Sequence, residues 1–525
     1  MKSKHTTLYF FILTLISFLT YYKVLDFAFW RDDWVFYWGA IQNDKTFLTL
    51  LFHPGTMIEF YVLSRVLGQH TMLWNVWGIA LKIFASFSVY IFIAALTNTK
   101  KAGKIAGILF SVIPLGLEAV AWAAAHVALV NVIFVCLSCT YFIRYQKTHT
   151  KTHLILFLVF AFLSFVSDPI RTSAVCLMVP IWLVLYKKKK HIAWSRLVAL
   201  SVCIALLCIA VAVFLSKNML ADYLVVRAVK KHGLDLLFYI RKTIFASQNY
   251  FSSIGNILIG PFVPTVNDIR LSSSYQHIVS GIAGGIALVS IPILGYFRKK
   301  NKENVTVVLF LLLWVLLFYV PNWIFTLQLT VGFTNRYTVL SGVGLVGLMA
   351  YGISLLSTRW VRIIVLSGLV IFFWIQNHYI LSVNQEFRSL SLHNQLYARM
   401  QREVPKPFKQ YLLMITGDHP AVPYSLLYNM QMPLVMSRNI PQRSQFPIFV
   451  DTMDRAVSYI CGKTTMHSAA WQFIPVPIPP EIKDVFAWNV HSDGTIESVH
   501  EEIRSQIQQK IQNEGCEYVI PLKPL

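Results

Sequence analysis

Long apolar runs separated by short polar loops dominate the first 380 residues. A helix that spans a bilayer needs roughly 20 mostly apolar residues. By that measure the chain predicts spans near residues 8–25, 73–96, 105–120, 127–143, 154–167, 173–186, 193–215, 276–297, 305–320, 338–356 and 361–381, eleven in all. Between 216 and 275 the apolar patches Leu234–Ile240 and Asn256–Phe262 read as interfacial amphipathic helices. From residue 383 the period changes. Tyr411–Thr416 reads as a strand closing at Gly417-Asp418, and Asp484–Val490 with Thr495–Val499 flank a Ser492-Asp493-Gly494 turn as a hairpin. Residues 500–512 read as a helix. The predicted architecture is an α-helical polytopic membrane domain over 1–382, followed by a small α/β domain over 383–525.

Composition agrees with that pattern. The chain is 56% hydrophobic and only 13% charged, against about a quarter charged in soluble domains, which argues against a cytosolic globular enzyme. A net charge of +22 would suit nucleic acid or an anionic surface, but its placement points elsewhere. Lys2, Lys4, Lys100, Lys101, Lys104, Arg144, Lys147, Lys151, Lys187 to Lys190, Arg196, Arg298 to Lys300, Lys302, Arg359 and Arg362 all lie on alternate loops, with Glu303 as their one acid. Cytoplasmic loops accumulate Lys and Arg, so the N-terminus is expected inside and everything after residue 382 outside. No nucleic-acid partner is expected. The bulky Tyr21, Tyr22 and Lys23 follow the first segment where a signal peptide would carry small residues, so it reads as a retained helix. Cys136 and Cys139 lie inside an apolar span and read as core. Cys461 and Cys516 share the outer domain, and spacing alone does not decide whether they pair.

Ionisable groups at the mouths of spans are costly and mark candidate sites. On the outer side these are Asp32, Asp33, Glu59, Glu118, His126, Asp168, Arg171 and Arg336. Two adjacent carboxylates in Phe29-Trp30-Arg31-Asp32-Asp33-Trp34 suit a general base, since desolvation and like charge raise one of them toward neutrality. They suit equally well an acidic cap on the following helix. Pro114 and Gly116 predict a broken helix that presents Glu118 to a cavity, or else a Glu118–His126 pair. Asp168 and Arg171 are close enough in sequence to pair with each other. Arg336, before a late span, gains nothing from a helix N-terminus and calls for an anion, with phosphate fitting its fork; a snorkelling Arg is the alternative.

These segments resemble the GT-C multi-span glycosyltransferases, which use sugars carried on polyprenyl phosphates. The likeness is to the membrane half of the tetratricopeptide-containing O-mannosyltransferase-like proteins and their bacterial relatives, over residues 8–380. Trp30-Arg31-Asp32-Asp33-Trp34 is similar to that family's first-loop acidic motif, and Leu117-Glu118-Ala119-Val120-Ala121-Trp122 to its Glu-Ala-Val segment. Ser167 to Tyr186 resembles the segment that usually carries a Lys-Glu pair, and Gly332 to Tyr337 the Arg-Tyr segment before a late span. The sequence departs at Ile113-Pro114 (His-Pro in the family), at Ala125-His126 (Gly/Ser-Arg) and around Asp168 and Arg171; no tetratricopeptide repeats follow. The resemblance implies a GT-C-like fold and an inverting membrane glycosyltransferase that moves a sugar from a polyprenyl-phosphate donor to an extracytoplasmic acceptor, whether protein, lipid or cell-envelope glycan. Asp32 and Asp33 would be catalytic. Glu118, His126, Asp168, Arg171, Arg336 and Tyr337 would bind donor or acceptor. No metal site or cofactor is firmly implied, and a divalent cation is left open. The rival readings are a transporter or lipid flippase, which would favour charges at mid-bilayer and repeated halves, and a non-catalytic membrane scaffold.

Overall fold

A computed structural model of the chain describes residues 2–30, 32–42, 54–168, 172, 178, 237–238, 302–318, 336–405, 410–422, 431–440, 445–464, 466–469, 472–476 and 478–516. Among these, five helices are long and apolar enough to cross a membrane: Thr6–Asp26, Thr71–Thr97, Ala123–Thr148, Arg336–Leu355 and Arg359–Arg388. Lys151–Ser167 and Val305–Leu317 are apolar but shorter. All seven fall where the hydrophobic pattern predicts spans. The spans expected at 173–186, 193–215 and 276–297, and the two interfacial patches, lie outside the described residues, apart from Met178 and the pair Leu237 and Phe238.

The span expected at 105–120 takes a different form. Lys100–Val112 is a helix whose N-terminus is capped by Thr99, which accepts from the Ala102 N–H. It stops at Ile113, because a residue before proline is pushed out of the helical region. Gly116 then takes φ +72°, and a Cβ there would overlap Val339. Only glycine meets both demands at once. Glu118–Ala121 starts a separate single turn.

The chain forms two compact units. The first comprises Met1–Leu25, Leu48–Glu59 and Leu73–Leu381, and the second Asp26–Phe47, Phe60–Met72 and Ser382–Leu525. In the first, Val127–Thr148 and Lys151–Ser167 pack as a helical hairpin, and Val339–Leu355 packs against Lys100–Val112 and Lys302–Leu317. Trp314 donates its indole N–H to the Leu340 carbonyl at 2.9 Å across that last contact. The Arg359–Arg388 helix instead exposes Trp360, Ile364 and Ile371, an apolar surface suited to lipid. The chain is thus a mostly helical integral membrane protein with a small sheet in its C-terminal part.

In the second unit the sheet runs in the order β2-β1-β5-β6, with β1 Leu412–Thr416, β2 Ile448–Val450, β5 Val485–Val490 and β6 Ile496–Ser498. β1 is parallel to both neighbours, with Leu412 opposite Ile448 and Val485, while β6 returns antiparallel with Val490 opposite Ile496. Both faces of a mainly parallel sheet must be covered, which is why β1 is apolar from Leu412 to Ile415 rather than alternating. Leu413, Ile415, Phe486 and Trp488 meet Leu392, Leu396 and Met400 of the Leu390–Glu403 helix. Leu412, Met414, Val485 and Ala487 meet Val457, Ile503 and Ile507 from the helices Met453–Ile460 and His500–Glu514. The hairpin and the last helix match expectation. The three-residue β2 and the separate hairpin β3 Met466–Ala469 with β4 Gln472–Pro475 were not anticipated, being too short to show a period. Cys461 and Cys516 are joined in a disulfide across 55 residues of sequence.

Glu403 locks the Leu390–Glu403 helix to the sheet. Its Oε2 accepts from Trp488 Nε1 at 2.8 Å and Ser498 Oγ at 2.7 Å, and lies 3.1 Å from His500 Nε2. Burial alone would raise this carboxyl, but the hydrogen bonds from Ser498 and Trp488 outweigh it and hold the group below its ordinary value. One turn before the middle of the same helix, His393 is fully buried. Burial pushes its imidazole down to about 4, partly opposed by the Ser389 carbonyl and reinforced by the charges of Arg388 and His419. Below the ordinary histidine value the unfolded chain takes up a proton that the folded chain refuses until about pH 4. The stability is therefore present at neutral pH and lost as pH falls, by about 2 kcal/mol at about pH 5. Thermal unfolding of the full chain at both pH values checks this: His393→Gln is expected to remove that part of the slope, and identical slopes in variant and parent would overturn it.

Candidate functional site

The residues expected to form the site fall in both units, and each group is built differently. In the second unit, the acidic pair opens the helix Asp32–Gln42. Asp33 is 1% exposed. Its Oδ2 accepts from the Trp30 N–H at 2.9 Å, while its own N–H donates to the Trp30 carbonyl at 3.0 Å. That is the reaching-back half of a capping box, which satisfies a backbone donor left over at the helix start. Asp32, one residue earlier, is only half-buried.

The approach to this helix is held by a residue that sequence reading passed over. The Ala28 N–H donates to the Arg388 carbonyl at 2.9 Å, and Phe27 and Ser389 form an isolated antiparallel bridge. The buried Arg388 side chain donates from Nη2 to the Ala28 carbonyl at 3.1 Å and lies over the rings of Phe27 and Trp30 at 4.8 and 5.0 Å. Gln385 Nε2 adds a bond to Asp26 Oδ2 at 2.9 Å. Only an arginine on the last turn of a long apolar helix could have signalled this, and nothing local names its partner.

In the first unit, Glu118 stands at the start of its single helical turn, 15% exposed. Its Oε2 lies 3.5 Å from Arg336 Nη1 and accepts from the Arg336 N–H at 3.3 Å. The same guanidinium stacks over Trp122 at 4.3 Å and reaches the Tyr337 hydroxyl at 3.4 Å from Nη2. The anion that Arg336 calls for is thus supplied, at least on one side, by Glu118. His126 does not pair with Glu118: its Nδ1 is 2.8 Å from Glu59 Oε1, which also accepts from Trp77 Nε1 at 2.9 Å. His126 is fully buried. Asp168 is also buried, its backbone N–H bonded to the Ser164 carbonyl at 3.2 Å and its carbonyl accepting from Thr172 Oγ1 at 2.6 Å. Arg171, and with it the expected Asp168–Arg171 pair, lies outside the described residues. Among the described residues no group of three His, Cys, Asp or Glu side chains is placed to hold a metal.

Sequence reading also passed over Lys82. It is buried inside the Thr71–Thr97 helix, its ammonium 4.2 Å from the centre of the Phe110 ring and 5.8 Å from that of Tyr21. A single lysine within a long apolar run was the available signal.

No known family profile matches the chain, and no curated protein matches it. Among solved structures it is similar to the archaeal oligosaccharyltransferase AglB from Archaeoglobus fulgidus in complex with an inhibitory peptide and a dolichol-phosphate, at 12% identity and a TM-score of 0.48, covering 79% of this chain and 62% of that one. It is also similar to the Archaeoglobus fulgidus oligosaccharyltransferase tethered with an acceptor peptide, at 14% identity and a TM-score of 0.45, covering 77% and 61%. The chain spans about three fifths of the length of these structures.

The Glu59–His126 contact depends on Gly78. A Cβ there would stand 2.6 Å from His126 Nε2 and 2.5 Å from the Val120 carbonyl oxygen. Gly78→Ala is expected to cost about 1–3 kcal/mol, the usual range for overpacking a tight contact. Gly368→Ala, with nothing within 4 Å of the new methyl, is expected to be neutral or stabilising. Thermal unfolding of both variants in detergent checks the contrast, and equal melting would refute it.

Proposed function

We propose that the protein is a membrane glycosyltransferase of the GT-C type, moving a sugar from a polyprenyl-phosphate donor to an acceptor outside the cytoplasm, with Asp32 as general base. The observation that carries this is the division of the acidic pair. Asp33 is sealed and holds the turn through the Trp30 N–H, while Asp32 keeps partial exposure at the head of the same helix. Inverting transfer asks its carboxylate to take the proton from an acceptor hydroxyl as oxygen attacks the anomeric carbon and the lipid phosphate leaves. Arg336 would meet the donor phosphate with the fork that Trp122 and Tyr337 flank, and Glu118 would orient it. His126, Asp168 and Arg171 complete the residues that the resemblance assigns to donor or acceptor binding. The Cys461–Cys516 disulfide supports a tail outside the cytoplasm, since disulfides persist in oxidising compartments.

General-base catalysis contributes roughly 10² to 10⁴-fold. Asp32→Asn in the reconstituted full chain, assayed against a panel of polyprenyl-phosphate sugars, is expected to lose turnover in that range and keep its melting temperature. Near-normal transfer would sink the assignment. Lys82, ionisable and buried inside a spanning helix, is what the transport reading would favour. Movement of a lipid-linked sugar across proteoliposomes, abolished by Lys82→Met and indifferent to Asp32→Asn, would decide for transport.

A further inference from the structure

The second unit contains a cleft of about 410 Å³ that the acidic pair does not line. Its walls come from the loop before the Asp32–Gln42 helix, from the turn at 69–72, and from one face of the Leu390–Glu403 helix. Phe29, Trp34 and Tyr397 supply rings, and Gln69, Asn394 and Gln401 supply carboxamides. No lining residue is Lys, Arg, Asp or Glu, in a chain with 70 such side chains. All three amides belong to exposed residues, and among the described residues none of them has a side-chain hydrogen-bond partner.

That combination narrows the ligand. A phosphate, a uronic acid or an acidic peptide would need a cation, and the lining has none beyond the single imidazole of His70. A donor sugar arrives attached to phosphate, so a donor subsite would need one too. An extended peptide would be held through backbone bonds, but the helical wall spends its own N–H and C=O groups internally. What remains is a neutral, hydroxyl-rich molecule with an apolar face. A carboxamide offers a donor and an acceptor together, which matches adjacent hydroxyls, and an aromatic ring covers the C–H face of a pyranose. Pockets of this make-up, mostly apolar with a few placed polar groups, are the general form of small-ligand sites.

We propose that this cleft binds a neutral saccharide, and that the acceptor of the transfer is therefore a neutral glycan. The inference rests on the glycosyltransferase reading above. Phe29 and Trp34 flank Asp32 and Asp33 in sequence, so the wall of the cleft and the base belong to one loop and one helical turn.

The test uses the full chain in nanodiscs and short neutral oligosaccharides of glucose, mannose and N-acetylglucosamine. A matched uronic-acid oligosaccharide, a Ser/Thr-rich peptide and the polyprenyl-phosphate sugars serve as the other arms, and binding is read by calorimetry. At least one neutral oligosaccharide is expected to bind in the absence of any polyprenyl-phosphate sugar. The double variant N394A/Q401A, built at exposed positions, is expected to weaken it about tenfold or more at an unchanged melting temperature. In the transfer assay the same variant should raise the acceptor KM and leave kcat near that of the parent, the mark of lost uniform binding. Asp32→Asn should bind the saccharide as the parent does. Absence of binding by every neutral oligosaccharide, undiminished binding by N394A/Q401A, or equal binding of the uronic-acid probe or the peptide would each overturn the proposal. Transfer that survives Asp32→Asn would sink the transferase assignment alone, because saccharide binding is measured without turnover.

Discussion

The arrangement around the acidic pair depends on one buried cation. Residues Phe27 to Trp30 leave regular structure, yet they are buried, so their backbone polar groups must find partners inside the protein. Arg388 supplies them, through its carbonyl to the Ala28 N–H and its guanidinium to the Ala28 carbonyl. The dependence runs both ways. A guanidinium taken out of water is tolerated only where hydrogen bonds and aromatic faces replace its hydration, and Phe27 and Trp30 provide those faces. Moving the loop would strand the charge, and removing the charge would strand the loop. Asp33 then bonds the last residue of that loop, Trp30, so the backbone that carries Asp32 is fixed at the head of its helix.

A similar economy governs the irregular stretch from Ile113 to His126 in the first unit. At the heads of spanning helices, unwound backbone survives only where protein satisfies it. Two ties bracket this stretch, Glu118 to Arg336 across 218 residues and His126 to Glu59 across 67. Both draw together groups with little access to water, where removing one partner leaves an uncompensated polar group and costs more than the pair itself contributes. The break at Ile113-Pro114 makes the stretch, and the two ties make it rigid.

Apolar runs longer than a bilayer leave few alternatives to helices, so the described spans were legible from periodicity alone. The Ser492–Gly494 hairpin was legible because turn residues sat between two apolar runs. The Pro114–Gly116 break was legible as chemistry even where the span drawn over 105–120 ignored it. Partners were not. A Glu118–His126 pair was the alternative that closeness in sequence offered, but a helical turn of Glu118–Ala121 followed by Ala123–Ala125 carries them toward different neighbours. Arg388 and Lys82 were missed for a related reason: each is a basic residue of a mainly apolar helix, and its meaning lies in aromatic rings far along the chain. Adjacent carboxylates were visible as a pair, while the split between a buried cap and a half-exposed acid needed the hydrogen bond to Trp30.

The Leu390–Glu403 helix shows how core and cleft are built from one period. Leu392, Leu396 and Met400 recur every four residues and face the sheet, while Leu390, Asn394, Tyr397, Ala398 and Gln401 form the neighbouring stripe that faces the cleft. Positions three and four apart share a face, so neither set can be shifted without shifting the other. The helix is pinned at its start by Ser389, whose side chain accepts from the Leu392 N–H, and at its end by Glu403 on Trp488 and Ser498. A wall held at both ends and packed along its length fixes the backbone from which Asn394 and Gln401 project, and sites built on such elements are more precise than sites built on loops. The sheet beneath therefore holds the wall of the cleft in place, although none of its strands lines the cleft.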